Sequence, residues 1–370
     1  MPTNLTVEAL KKKEEVEKAR TPEEKLIKLR EFLSLIPKHK GTEKLVKQVR
    51  RQIATLEKEL RRKGKTRTGF SYLVEKTGDI QVALISTEYR IKSELMELLT
   101  EVKPSYTEIT PSGKMYAGIF KYKGVYMQIV NIPVLNKWQD EKIVRRGMAQ
   151  IRNSDIALIV LSGRDYREDL EKIDNLLFTQ GNIYLATHLQ VEIEKLPPKS
   201  GLKLIIEPKP DQNTIGEALN SLRNSGVRDL LVNIRGKVSI ADIVDLVKCK
   251  PTIKPAVALL PNINGLDKYY SRITMIEKPK TTDQIGEAII KSLGLIRVYT
   301  KKIGIKEPST RPLLLREGAT VIEAAKMIHK RFAERFSYAK IWSKKIRPSP
   351  QRVGPLYTLN DEDIIEIHMK

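Results

Sequence analysis

Two runs constrain this chain more than any other feature: IQVALI at 80–85 and DIALIVL at 155–161. Strands this apolar must be covered on both faces, the condition of a parallel sheet wrapped by helices. Strand and helix signals alternate around them, with further strand candidates at 115–122, 125–132 and 256–260, and near 183–187, 202–206 and 229–233. FKYKGVYMQIVNI reads as a hairpin turning at Lys123-Gly124, which adds an antiparallel strand at one edge. The expectation is an α/β, doubly wound domain over 78–294, with room for inserted α/β material within 162–250.

The ends have a different texture. A chain of 370 residues exceeds what one hydrophobic core organises, so two or three domains are expected. Residues 1–68 read as a basic helical, coiled-hairpin region: Leu26, Leu29, Phe32 and Leu33 share one face, and Leu45, Val49, Ile53, Leu56 and Leu60 form a stripe that needs a partner helix. RRKGKTRTG, from residue 61, reads as an exposed basic linker. Residues 295–370 offer a strand, a second strand, one amphipathic helix (VIEAAKMIHKRFAERF) and returning strands, the pattern of a small β-grasp module.

Charge narrows the partners. Residues 1–68 hold 20 Lys or Arg against 10 acidic residues, and residues 295–370 hold 16 against 8, so 18 of the 22 net positive charges sit at the two ends. That distribution suits a polyanion, with the ribosome or ribosomal RNA as the expected partner. The densest run is Arg61, Arg62, Lys63, Lys65 and Arg67. Lys344, Lys345, Arg347 and Arg352 fall in a β-grasp loop beside Trp342, read as core. Lys326, Lys330 and Arg331 recur at helical spacing, as if on one face. No stacking aromatics interleave these basic runs in sequence. No apolar stretch of about 18 residues is present, and the start lacks a signal core, so a cytoplasmic protein with no membrane partner is expected. The lone Cys249 reads as a small buried thiol, and the four histidines show no ligand spacing, so no metal is expected. The Lys/Glu-rich composition also fits a warm environment.

The join between IQVALI and the next helix carries the functional question. STEYRIKS ends in Lys92-Ser93, as does the phosphate-binding pattern G-x-x-x-x-G-K-[ST]. Its two glycine positions hold Ser86 and Ile91. A β-branched isoleucine tolerates neither left-handed backbone nor the close approach of a phosphate.

Several phrases together give a resemblance. IRVYTKKIG, RPLLLREGATVIEAAKMIHKRFAERFSYAKIW and SPQRVGPLYTLNDEDIIEI follow in the order of a TGS domain. GTEKLVKQVRRQIATLEKELRRK, TGDIQVALI and KYKGVYMQIVNIP are similar to segments ahead of and within the associated GTPase domain. The chain thereby resembles the developmentally regulated GTP-binding proteins, a branch of the Obg-like, translation-associated GTPases. The resemblance implies a Ras-like, P-loop NTPase-type G domain between an N-terminal helical region and a C-terminal β-grasp (TGS) domain. It also implies that the helical region and TGS domain contact ribosomes or partner proteins.

Three motifs depart from that family. Besides Ser86 and Ile91, the magnesium and γ-phosphate motif Asp-x-Pro-Gly reads Asn131-Ile132-Pro133-Val134: the carboxylate is an amide, and the pivot glycine is valine. The guanine-reading Asn-Lys-x-Asp reads Pro261-Asn262-Ile263-Asn264. Lys92 and Ser93 remain, as ordinary first-turn helix residues, and Ile91 is expected to fill the former phosphate cavity. The expectation is a pseudo-GTPase with no cofactor and no catalytic residue, acting as a constitutive ribosome- or RNA-protein-binding factor. The alternatives are a protein-binding adaptor for an intact relative, engaging through the N-terminal helices or the TGS domain, and an atypical GTP-binding protein using Lys92 and Ser93.

Overall fold

The computed structural model describes residues 12, 15–16, 22–37, 41–65, 73–102, 115–133, 140–208, 212–236, 238–266, 270–345 and 349–369, with backbone alone for 22–27, 44, 56–65 and 212–214. The chain divides into two compact units, Met1–Ser71 and Tyr72–Lys370.

In the first unit, α1 (Pro22–Leu35) and α2 (Glu43–Lys65) pack together. Leu29, Phe32, Ile36 and Val49 are buried, with Leu45 and Ile53 against them. The apolar stripe on α2 is therefore partly covered from within the chain. Leu56, Leu60 and Leu26 lie outside the described side chains. The linker expected from residue 61 is a correction: α2 continues through Arg61, Arg62, Lys63 and Gly64 to Lys65. Lysine and arginine are good helix formers, so a basic run can propagate an existing helix. Residues 66–72, including Arg67, lie outside the described residues.

The second unit is built on a six-stranded sheet in the order β11-β10-β4-β1-β3-β2. Its strands are β1 (Ile80–Ile85), β2 (Tyr116–Tyr122), β3 (Val125–Asn131), β4 (Ile156–Val160), β10 (Ala256–Leu260) and β11 (Thr274–Glu277). All neighbours are parallel except β2, which folds back on β3 through the Lys123-Gly124 turn. Every residue of β1, β4 and β10 is buried. Alternation sends Ala83 and Ile85 to one face, beneath α4 (Glu141–Asn153) and α5 (Tyr166–Gly181). Ile80, Val82 and Leu84 go to the other, beneath α3 (Tyr89–Thr100) and α8 (Thr282–Ser292). Each such aliphatic side chain contributes about 1.5–3 kcal/mol on burial, which commits the sheet to this register.

Between β4 and β10 lies a smaller layer with its own core. Here β5 (Ile183–Leu185) pairs with β9 (Thr252–Lys254), and β6 (Gln190–Lys195), β8 (Leu230–Arg235) and β7 (Lys203–Glu207) form a three-stranded sheet. Its helices, α6 (Gln212–Asn224) and α7 (Ile240–Cys249), bury Leu222 and Leu246 against Val232 and Ile234. Cys249, expected to be buried, is exposed, because it ends α7 away from that helix's packed face.

The C-terminal module is a five-stranded sheet, β13-β12-β16-β14-β15. Its strands are β12 (Leu295–Thr300), β13 (Leu313–Arg316), β14 (Phe336–Trp342), β15 (Gln351–Val353) and β16 (Ile364–Met369). One face is sealed by α9 (Val321–Ile328) and α10 (Lys330–Glu334) over Val298, Ala339, Ile341 and Ile365. The single helix expected here is two. His329 adopts extended backbone (φ −170°, ψ 142°), and its Nδ1 accepts from Arg331 N at 3.1 Å, capping α10. Lys326 therefore does not share one helix face with Lys330 and Arg331. This module is tied to the β2–β3 hairpin, where Tyr299 OH donates to Lys123 O at 3.2 Å, and to the residue before β1, where Arg311 pairs with Asp79 at 2.5 Å.

Candidate functional site

In a doubly wound sheet, ligands sit at the carboxyl ends of the strands where the winding reverses. Here that point is β1, flanked by β3 on one side and β4 on the other. The residues singled out at 86–93, 131–134 and 261–264 all follow strands of this edge.

The loop after β1 is three residues long. Ser86 is buried, with its Oγ accepting from Glu88 N at 3.1 Å, and α3 begins at Tyr89. Lys92 and Ser93 therefore stand within the first turns of a helix. From Ser93 onward the backbone N–H groups are committed to intrahelical bonds, not free to ring a phosphate. Thr87 Oγ1 donates to Asp169 of α5 at 3.0 Å, and Ser162 Oγ donates to Glu88 at 3.2 Å. Two carboxylates thus stand around the loop. That of Glu88, beside the amino end of α3, complements the helix dipole as an incoming anion would.

Lys92 points inward. It is fully buried, and its Nζ donates to the carbonyl of Ile132, just past β3. Burial pushes its ammonium down to about 7. The side chain closing the loop inward is therefore Lys92 and not Ile91. Ile91, half-buried, packs with Leu95 and Met96 on the sheet face beneath α3, because its position on the helix turns it that way. This corrects the expected filling of the loop by Ile91.

Asn131 and Ser93 test whether magnesium fits. Asn131 is 1% exposed, and among the described residues neither its Oδ1 nor its Nδ2 has a protein partner; the Ser93 Oγ is likewise buried and without a partner among them. An orphaned amide offers donor and acceptor together, which suits a water molecule. Amide and hydroxyl oxygens ligate a divalent cation as neutral members of a set that also includes charged oxygens, and this pair brings no charge. The donor set does not fit the metal. Pro133 is buried beside Asn131, and Val134 lies outside the described residues.

At the third loop, Pro261 and Asn262 are half-buried and Asn264 is exposed. Asn262 Oδ1 accepts from Asn264 N at 2.7 Å, and Asn264 O accepts from Arg167 at 2.6 Å. Asn264 is thereby tied through its backbone carbonyl to α5, by an arginine that sequence reasoning passed over.

The basic residues fall on separate elements. Arg61, Arg62, Lys63 and Lys65 ride the last turns of α2, with side chains not described. Lys326, Lys330 and Arg331 are exposed, and Lys330 pairs with Glu334 at 3.4 Å. Lys344 pairs with Glu362 at 2.5 Å, and Lys345 donates to Asn360 at 2.8 Å; Arg347 lies outside the described residues. Arg352 lies over the Tyr338 ring at 3.8 Å. Trp342, expected in the core, stands on the face opposite Ile341, with the Lys301 ammonium 4.0 Å from its ring centre. Among the described residues there is no cluster of three or more His, Cys, Asp or Glu arranged to hold a metal, and no helix long and apolar enough to cross a membrane.

Residues 296–369 match the family model described as TGS domain. The C-terminal module is a TGS domain. Over 94% of its length the chain is 25% identical to an uncharacterized GTP-binding protein of Methanocaldococcus jannaschii, covering 93% of that protein. It is 28% identical to a developmentally-regulated GTP-binding protein 2 homolog of Dictyostelium discoideum, over 94% of this chain and 99% of that one. Among solved structures, the Schizosaccharomyces pombe YchF GTPase aligns over 80% of this chain and 99% of its own, at 12% identity and a TM-score of 0.41. The chain is thus related, at low identity, to this branch of GTPases through both its length and its TGS domain.

Proposed function

We propose that this protein is a pseudo-GTPase: a relative of translation-associated GTPases that neither binds nor hydrolyses nucleotide, and acts as a constitutive binding factor for the ribosome or an RNA–protein complex. The observation that carries this is Lys92. In a phosphate loop this lysine must reach into the ligand's space; here it is buried and bonded to Ile132 O. Ser86 and Ile91 remove the glycines, Asn131 removes the carboxylate, and the Pro261–Asn264 loop is held by Arg167. A γ-phosphate ordinarily gates such a fold by ordering its switch loops. Here Lys92 makes that connection permanently from within the chain. The net charge of +22, weighted toward the two ends, supplies the attraction to a polyanion.

Calorimetric titration of magnesium-GTP, GDP and ATP into nucleotide-free protein tests the first half, with no heat of binding expected up to millimolar nucleotide. Micromolar affinity for GTP or GDP would overturn the reading. Sedimentation with ribosomes across a salt series tests the second half. Binding through many phosphates falls steeply as salt rises; binding indifferent to salt would point instead to a protein–protein contact.

A further inference from the structure

The TGS sheet has a second face, and it is not apolar. Strand alternation turns Ala339, Ile341, Ile365 and Ile367 toward α9 and α10 and places Tyr338, Lys340 and Trp342 of β14 on the other side. In the register of the sheet, Tyr338 lies opposite His368 on β16, and Lys340 lies between Glu366 and Arg352 of β15. The Tyr338 and His368 rings stack with centroids 4.3 Å apart and planes 8° from parallel. Arg352 covers the other side of Tyr338 at 3.8 Å. Four residues further along β14, about 13 Å at strand spacing, Trp342 carries the Lys301 ammonium. Lys340 stands midway between these two clusters, its ammonium 3.6 Å from Glu366.

We infer that this face of the TGS sheet is a stacking surface for single-stranded RNA. The inference rests on the polyanion-binding reading above and gives it a location. Three cations, Lys301, Lys340 and Arg352, stand on the face with Glu366, a carboxylate that is nearly buried and already bonded by His368 at 2.8 Å. The face is therefore electropositive at its surface, and past β14 Lys345 adds a charge that meets only the neutral Asn360, while Lys344 is paired with Glu362. A protein-docking surface is depleted of charge at its centre, whereas this one places lysine there. The Arg352 guanidinium, which extends the His368–Tyr338 stack, and the Trp342 ring offer planar groups for unstacked bases, with Lys340 between them for the phosphate. A duplex keeps its bases stacked on each other and cannot use the rings.

The test uses the full chain and a short fluorescein-labelled oligouridylate, read by anisotropy and by tryptophan emission. Trp342 is one of only two tryptophans. The single strand is expected to bind and to quench that emission. Trp342→Phe should abolish most of the quench while holding affinity within about threefold, since a phenyl ring still stacks. Tyr338→Ala with Arg352→Ala should weaken binding on the order of tenfold or more. Because Tyr338 is partly buried, exposed Arg352→Ala alone should still weaken binding severalfold. The inference is overturned if these variants bind as the wild type does, or if duplex RNA binds as tightly as single strand without quenching. It is also overturned if the oligouridylate fails to bind a protein that still sediments with ribosomes in a salt-dependent way, a result that leaves the ribosome-binding reading standing. Failure of both assays sinks both.

Discussion

Lys92 makes the closed crevice measurable without any ligand. Burial lowers its ammonium from an ordinary 10.5 to about 7. An unfolded chain then holds a proton that the native state has released everywhere between those values, so native stability must rise with pH across that window. Below about 7 both states are protonated, and the full cost of burying the charge is present. Each pH unit in the window is worth about 1.4 kcal/mol, so raising pH from 7 to 10 should relieve about 4 kcal/mol at most. Lys92→Met isolates this contribution. Methionine has similar length and no charge, and the Ile132 carbonyl it leaves unbonded costs about 1–3 kcal/mol at every pH. Urea unfolding of both proteins at pH 7, 8.5 and 10 should therefore show the wild type gaining on the variant by up to about 4 kcal/mol as pH rises. Other titrating groups cancel in the comparison. A difference that stays flat across this range would mean that Lys92 sits in solvent, free to meet a phosphate, and the central argument would fail.

Two further tests concern the scaffold. A Cβ at Gly286 of α8 would collide with the fully buried Tyr122 ring, so Gly286→Ala should destabilise by about 1–3 kcal/mol in denaturant titration despite its gain in helix propensity. Exposed Cys249 should react with a thiol reagent in the native protein nearly as fast as in urea; strong protection would contradict its placement at the end of α7.

The sheet was legible where burial on both faces left its mark on composition. IQVALI, IALIV and AVALL announce β1, β4 and β10 because no position in them faces water. β6 did not announce itself: QVEIEK alternates exposed charge with half-buried Val191 and Ile193, a pattern suited to any solvated strand. β9 is three residues long, and β11 is a half-buried edge strand. The break at His329 carries neither proline nor glycine, so the apolar periodicity runs straight through it. At the crevice, the altered motifs were readable position by position, whereas the direction of Lys92 and the grip of Arg167 on Asn264 depend on how separate segments meet. The aromatic and basic residues of the TGS face were invisible for the same reason. Tyr338, Arg352 and His368 are far apart in the chain and become layers only through strand register.

The early start of α3 bears on the history of this fold. Placing glycine at positions 86 and 91 would not by itself reopen the crevice, because the helix already begins at Tyr89 and Lys92 is seated beneath Ile132. Reversal would have to unwind that turn, extract Lys92 from its seat beneath Ile132, and move Glu88 aside, and no single substitution accomplishes any two of these. On the pseudo-GTPase reading proposed above, the loss of the switch would work as a ratchet, leaving the surfaces of this chain freer to change than its crevice.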